Sequence, residues 1–498
     1  MKKAIAIILL AVMLVSTLAS CNGANTAQTT TSVVVDQAPT EDVEEVPVLL
    51  PEGTWYDGYS FDILLTGNFT QNNDFSYDAA LETPVNSAKY ARVATIQEKY
   101  GVGIEYINEM KYGSSGGSGT GFVKLKNSYD ASSYDYDMAL IGTYDVSTAA
   151  YSGYLSDLNS DDMPYIDLSK SWWDQKANEM LMIDNKMYYT TGDISLTDNI
   201  ITNCIMFNKD LVNSISTMND PYAMVNNNEW TWDNFTVEVK KVSDDLNGDQ
   251  IMNQNDLYGL LTWNDAILAG FASGLQSVAK INEYSEIELS VYNQKSVSVI
   301  NKYISLIQNN DNVYNYQVLK NSDWDPVRVA MFDNNQVAYS MTTFNTVPKH
   351  RNSETNFGIL PFPKLDESQE SYGHLVSAYH CQFVCVPYFV EDVDRTSGIV
   401  EELAYMGKMS LTPAYYEQTL VGQYVRDDES IEMLDIIFSS AVYDVGLYYQ
   451  IGGFKDSIMG MAKSKQNTFA SIYEESRDSA QSTIDKINTT FQELLGQE

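Results

Sequence analysis

The chain has little histidine and cysteine. It has three histidines, His350, His374 and His380, and none sits in a G-x-S-x-G or H-E-x-x-H setting, so serine hydrolase and zinc protease readings find no local support. Four cysteines in 498 residues are too few for a disulfide framework. Beyond Cys21, the remaining Cys204, Cys381 and Cys385 are odd in number and lie in apolar runs, the pattern of buried free thiols. His380 beside Cys381 and Cys385 has the wrong spacing for a zinc ribbon and no second ligand pair, so these residues read as a strand packed through Cys381, Phe383 and Val384. Basic residues are scarce as well: 30 Lys and Arg stand against 67 Asp and Glu, a net charge of -37. Such a charge repels phosphate, which argues against nucleic acid as a partner and holds the body off an anionic membrane surface. The glycines between Gly113 and Gly121 lack the G-K-[ST] ending of a phosphate loop and read as a flexible connection.

Long apolar runs are also missing, with one exception at the start. Lys2 and Lys3 precede an apolar stretch from Ala4 to Leu18, shorter than the ~20 residues a spanning helix needs. The stretch closes in Leu18-Ala19-Ser20-Cys21. A positive n-region, an apolar h-region and small residues before a cysteine read as a lipoprotein signal, residues 1–20, with Cys21 as the acceptor of a diacylglycerol. Residues 21–52 then form the lipidated cysteine and a disordered tether rich in Thr, Val, Pro and acids. The membrane is reached through the lipid alone.

From Trp55 the chain is long and apolar enough, at 44% hydrophobic residues, to fill two cores. Strands are expected at Phe61 to Thr66, Val102 to Ile107 and Asp137 to Gly142, alternating with helices at Ala88 to Tyr100, capped by Asn86, and Thr120 to Asn127. That alternation predicts a mostly parallel sheet with helices on both faces, whose ligands lie beyond the carboxyl ends of the strands. Further on, Ile200 to Asn208 and Gln336 to Met341 read as strands, and Thr231 to Val242 and Pro326 to Asp333 as helices, the latter capped by Asp325. Asn356 to Pro361 reads as a strand of the first lobe. After Tyr379 the chain is largely helical, ending in a stripe of Phe469, Ile472, Tyr473, Ala480, Ile484, Ile487, Phe491 and Leu494.

Two constellations could hold a ligand. Asp245, Asn247, Asp249, Ile251 (through its carbonyl), Asn253 and Asp256 occupy positions 1, 3, 5, 7, 9 and 12 of an EF-hand-type calcium loop, with Gln250 where glycine normally makes the sharp turn. Structural calcium is the expected cofactor; none is expected for catalysis. The second is aromatic: 35 tyrosines and seven tryptophans, several in loops expected at strand ends. Aromatic faces stack on sugar rings while Asn, Asp and Thr bond hydroxyls, which suits a pocket with a few directed polar groups.

The lipobox, the tether, DMALIGTYD, Tyr165-Ile-Asp-Leu-Ser-Lys-Ser-Trp-Trp-Asp174, CIMFNKDLV, Trp230-Thr-Trp-Asp-Asn-Phe235 and the calcium-like loop ending Asp256-Leu-Tyr-Gly259 appear in an order that resembles the extracellular solute-binding proteins of family 1. These are lipoprotein receptors of ABC importers related to maltose-binding protein. The resemblance implies an α/β, two-lobe periplasmic-binding-protein-like fold of type II, a hinge of two or three crossings and a helical C-terminal part. It implies an N-terminal lobe of 53–197 plus 342–378 and a C-terminal lobe of 198–341 plus 379–498. It also implies solute capture without catalysis, most simply of a carbohydrate, by a monomer on the extracytoplasmic face that serves ABC permease subunits. Carried over by position, the ligand residues are Asn68, Phe69, Tyr144, Asp145, Asp198, Trp263, Asn264, Asp265, Thr343, Phe344 and Tyr448. Trp172 and Trp173 match a family segment of structural or binding role. The competing readings are a receptor for peptides or another polar solute, a surface glycoside hydrolase, and a non-transport sugar sensor or adhesin.

Overall fold

A computed structural model describes residues 46–67, 74–78, 80–109, 117, 119–319, 324–424 and 427–495. Cys21, the tether before residue 46, and the expected ligand residues Asn68 and Phe69 lie outside the described residues.

Two sheets organise the body. The smaller has four strands in the order Gln382–Cys385, Met138–Gly142, Tyr59–Leu65, Val102–Asn108. Its central pairings are parallel, with Ile63 opposite Tyr106 on one side and Leu64 opposite Ala139 on the other. Phe61, Ile63, Leu64 and Leu65 are fully buried, each contributing ~1.5–3 kcal/mol over an exposed position. Helix Pro84–Tyr100 covers this sheet through Val93, Ile96 and Tyr100. It starts four residues before the expected Ala88, because Thr83 rather than Asn86 is the cap: the Thr83 hydroxyl accepts the Asn86 N–H, and Pro84 takes the first helical position. Gly101 closes the helix at φ 63°, and a Cβ there would lie 2.5 Å from the Trp55 ring. Two independent constraints thus select glycine.

The larger sheet runs Phe357–Leu360, Asn203–Asn208, Val337–Thr343, Leu257–Thr262, Ser243–Asp244, with Val313–Asn315 also paired to 257–262. It is mixed rather than mostly parallel: 337–343 is parallel to 257–262 and antiparallel to 203–208. Two expectations are corrected. The strand at 356–361 belongs to this larger sheet, pairing Gly358 with Phe207, and does not join the first lobe. Conversely, the strand around Phe383 joins the smaller sheet, pairing Phe383 with Ile141, so sheet membership does not follow the expected division at 342 and 379. The short apolar runs NFGILP and QFVC carry no label of which sheet edge they extend; pairing decides it.

Smaller differences have local causes. The expected strand from Ile200 begins at Asn203, after a short helix Thr197–Ile201. Helix Trp324–Asp333 starts before Pro326, and Asp325 pairs with Arg328 and Lys349 instead of capping. Two chain crossings run side by side: Thr202 and Val376 form an antiparallel bridge. Cys204, Cys381 and Cys385 are buried free thiols, as the sequence suggests. The final helix, Phe469–Leu495, buries Phe469, Ala480, Ile484, Ile487 and Phe491 along the expected stripe. No described helix is long and apolar enough to cross a membrane.

Candidate functional site

A cavity of about 720 Å³ opens where the carboxyl ends of strands from both sheets meet. Tyr144 enters from the smaller sheet, as the second residue of helix Thr143–Tyr151, which follows strand 138–142 without a loop. Thr143 fixes that start by donating both its N–H and its hydroxyl to the Cys381 carbonyl. From the larger sheet come Trp263 and Asp265 after strand 257–262, Tyr316 and Gln317 after 313–315, and Thr342, Thr343 and Asn345 at the end of 337–343. Residues Ser377–His380 of one crossing and Gln450, Lys455 and Asp456 complete the wall.

The aromatic groups form an ordered surface. Trp263 stacks on Tyr316 with centroids 6.5 Å apart and planes at 21°, and the Arg328 guanidinium lies 5.7 Å over the Tyr316 ring. Arg328 also donates to Asp325 at 2.6 Å and to the Thr342 hydroxyl at 3.3 Å. Gln317 is positioned by accepting the Asn264 N–H at 2.9 Å. Lys455 places its ammonium 4.4 Å from the Tyr144 ring centroid, a cation–π contact.

Charge inside the cavity is arranged in two groups. Asp325 is shared by Arg328 and Lys349, whose charges outweigh the upward push of burial and hold its carboxyl below the ordinary range. Burial, with Arg328 and Lys349 nearby, pulls His380 down to about 4, so its imidazole is neutral at neutral pH. On the other side, burial raises Asp265, opposed by Lys455 and reinforced by Asp456. Burial likewise raises the Tyr144 hydroxyl, with Asp265, Asp456 and Tyr379 adding to it, so the hydroxyl remains a donor.

Of the expected ligand residues, Tyr144, Trp263, Asp265 and Thr343 line this cavity. The other described ones do not. Asp145 turns away to accept the Gly119 N–H at 3.1 Å, capping helix Thr120–Ala131, whose own cap residue has no side chain. Asp198 is buried and bonded to the Thr191 hydroxyl and the Asn199 N–H, and its carboxyl is pushed well up by burial and by Asp174 and Asp193. Phe344 is fully buried, stacked on Phe438 at 4.8 Å. Tyr448 packs on Phe383 and lines a smaller recess beside the cavity, and Asn264 is held by the Asn315 amide. In each case the chain position is near the cavity and the side chain is engaged elsewhere.

Sequence reading missed Asn203, Tyr316, Gln317, Trp324, Arg328, Tyr379, Lys455 and Asp456. Strand 313–315 is three residues long and gave no periodic signal that would have marked Tyr316 as a strand-end residue. Trp172 and Trp173 prove structural: both indole N–H groups donate to the buried Glu401, at 3.0 and 2.9 Å.

The calcium-like loop stands apart from the cavity. Gln250 adopts φ 65°, so it supplies the left-handed turn normally left to glycine. Asp245 accepts the N–H groups of Gly248 and Gln250, Asn247 that of Asp249, Asp249 that of Ile251, and Asp256 those of Leu246 and Asn253. The Ile251 carbonyl accepts from the Asn253 amide. The backbone therefore fits an EF-hand turn, but these oxygens satisfy the loop itself. Among the described residues no three Asp, Glu, His or Cys side chains converge on one point.

The sequence profile of the bacterial extracellular solute-binding proteins matches residues 79–379, more than half of the chain. The chain belongs to that family. No curated protein matches it. Solved structures share its fold at low identity. A cyclic alpha-maltosyl-1,6-maltose binding protein from Arthrobacter globiformis is 12% identical, with 86% of this chain and 99% of that one covered and a TM-score of 0.55. A sugar transporter from Rhizobium etli in an open conformation is 14% identical, with 86% and 99% covered and a TM-score of 0.54. An ABC substrate-binding protein from Listeria monocytogenes, in complex with cycloalternan, is 13% identical, with 88% and 100% covered and a TM-score of 0.52. Family and fold together make this a two-lobe solute-binding protein of the extracytoplasmic space.

Proposed function

We propose that this solute-binding protein captures a carbohydrate in the 720 Å³ cavity and delivers it, without chemical change, to an ABC importer, while Cys21 anchors it to the outer face of the membrane as a monomer. The observation that carries the reading is the Trp263–Tyr316 stack beside directed polar groups, Gln317, Asn345, Asp265 and Arg328, in a single cavity between the sheets. Stacked rings bury the apolar face of a pyranose, and the amides, carboxylate and guanidinium match its hydroxyls. The sugar ligands named for the fold relatives, cycloalternan among them, support the same class. Closure follows as a population shift: a solute touching Tyr144 from one sheet and Trp263 from the other binds the closed form better than the open one. Weak structural calcium at 245–256 belongs to the same proposal, and needs the outer carboxylates to turn from the loop N–H groups.

A thermal-shift screen of mono- and oligosaccharides tests the function, since a ligand that binds only the native state raises apparent stability. One saccharide class should raise the melting temperature in proportion to the logarithm of its concentration. No shift with any saccharide, alongside a shift with peptides, would replace the carbohydrate reading by a peptide receptor.

A further inference from the structure

A second recess of about 290 Å³ adjoins the main cavity, and Gln450 lines both. Helix Thr143–Tyr151 connects them. Tyr144 faces the main cavity, while Thr148 and Tyr151 face the recess, at positions i, i+4 and i+7 along one helical face. Seven residues at ~1.5 Å rise carry that face about 10 Å from one chamber to the next. The opposite wall is the final helix, through Ser482, Thr483, Lys486 and Ile487.

The chemistry of the recess suits a sugar end. Its lining holds hydroxyls, three tyrosines (Tyr151, Tyr448 and Tyr449), the Gln450 amide and one lysine, and no carboxylate, in a chain where acids outnumber bases 67 to 30. The Lys486 ammonium lies 5.6 Å from the Tyr151 ring centroid and forms no ion pair among the described residues, so its charge is available to a ligand oxygen. Gln450, which lines both chambers, has a left-handed backbone at φ 51°. The main cavity is about 720 Å³ and the recess about 290 Å³, so the recess adds to the main chamber a smaller space of its own.

We infer that the recess is an end subsite, which makes the solute an oligosaccharide long enough to reach it from the main cavity; this rests on the carbohydrate reading of the main cavity. Titration calorimetry of the purified protein with linear malto-, cello-, xylo- and manno-oligosaccharides of one to six units tests it. In the class that binds, affinity should rise about tenfold or more from the trisaccharide to the hexasaccharide. Thr483→Trp, which fills the recess from the surface of the final helix, should collapse that ratio to about threefold or less, and Lys486→Ala should lower it in the same direction. A trisaccharide that binds as tightly as the hexasaccharide, or a ratio that survives both substitutions, overturns the end subsite and leaves the carbohydrate reading standing. Failure of every series to bind overturns both.

Discussion

Replacing Trp263 by alanine separates the two roles an aromatic residue near a cavity can have. Trp263 lines the cavity, is only partly buried, and stacks on Tyr316. Its ring face is the platform the proposed function assigns to a pyranose. Removing it forfeits the apolar contact, about 50 Å² at ~25 cal/mol/Å², or ~1.2 kcal/mol. It also forfeits a geometric stacking term of about 0.5–1.5 kcal/mol. The sum, about 2 kcal/mol, corresponds to about a 30-fold loss of affinity. Phe344→Ala is the contrasting variant, because Phe344 is fully buried on Phe438 and lines neither the cavity nor the recess. It should cost about 3–5 kcal/mol of stability and leave the affinity of the folded protein within about threefold. Titration calorimetry with the saccharide that gives the largest thermal shift, together with melting of the ligand-free proteins, reads both effects. A Trp263→Ala protein that binds within about threefold of the parent would refute the stacking assignment.

Glu401 supplies a pH-dependent test of the core. Burial pushes its carboxyl up to about 7, against the downward pull of the Trp173, Asp167 and Trp172 N–H donors. The folded state therefore holds a proton that the unfolded chain has released between about pH 4.5 and 7, and stability from this group falls as pH rises through that window. Glu401→Gln cannot titrate, so its melting deficit against the parent should be larger at pH 5 than at pH 8, and an equal deficit at both would contradict the buried protonated acid. For the 245–256 loop, millimolar calcium should raise the melting temperature relative to chelator, by an amount equivalent to about 2–3 kcal/mol near a hundredfold excess over the dissociation constant. Asp245→Asn should abolish that gain; identical melting in calcium and chelator would remove calcium from the account. Cys21→Ser should release the protein from the membrane fraction, and a variant that stays membrane-bound would contradict lipid anchoring.

Much of the α/β alternation was legible because buried strands such as FDILLT and DMALIG are continuous apolar runs of the right length. Strand partnership was not, since pairing is a long-range choice that the NFGILP and QFVC segments do not encode locally. The site was legible to the nearest loop. The residue after a strand could be placed at the cavity edge, but whether Tyr144 or Asp145, Thr343 or Phe344 faces inward depends on the turn of one backbone unit. Asp145 went to a helix cap and Phe344 to the core for that reason. Charge pairing was the least visible part: Arg328, Lys349 and Asp325 meet from a helix and a distant loop, and Lys455 reaches Tyr144 from across the fold.

Occupation of the cavity between the two sheets by a carbohydrate is what the proposed function stands on. A crystal structure of the protein with the saccharide that most raises its melting temperature tests this directly. A pyranose ring is expected to lie on Trp263, bounded by Tyr144, Gln317 and Arg328. Saccharide bound elsewhere on the protein, with Trp263 and Tyr144 untouched, would contradict it.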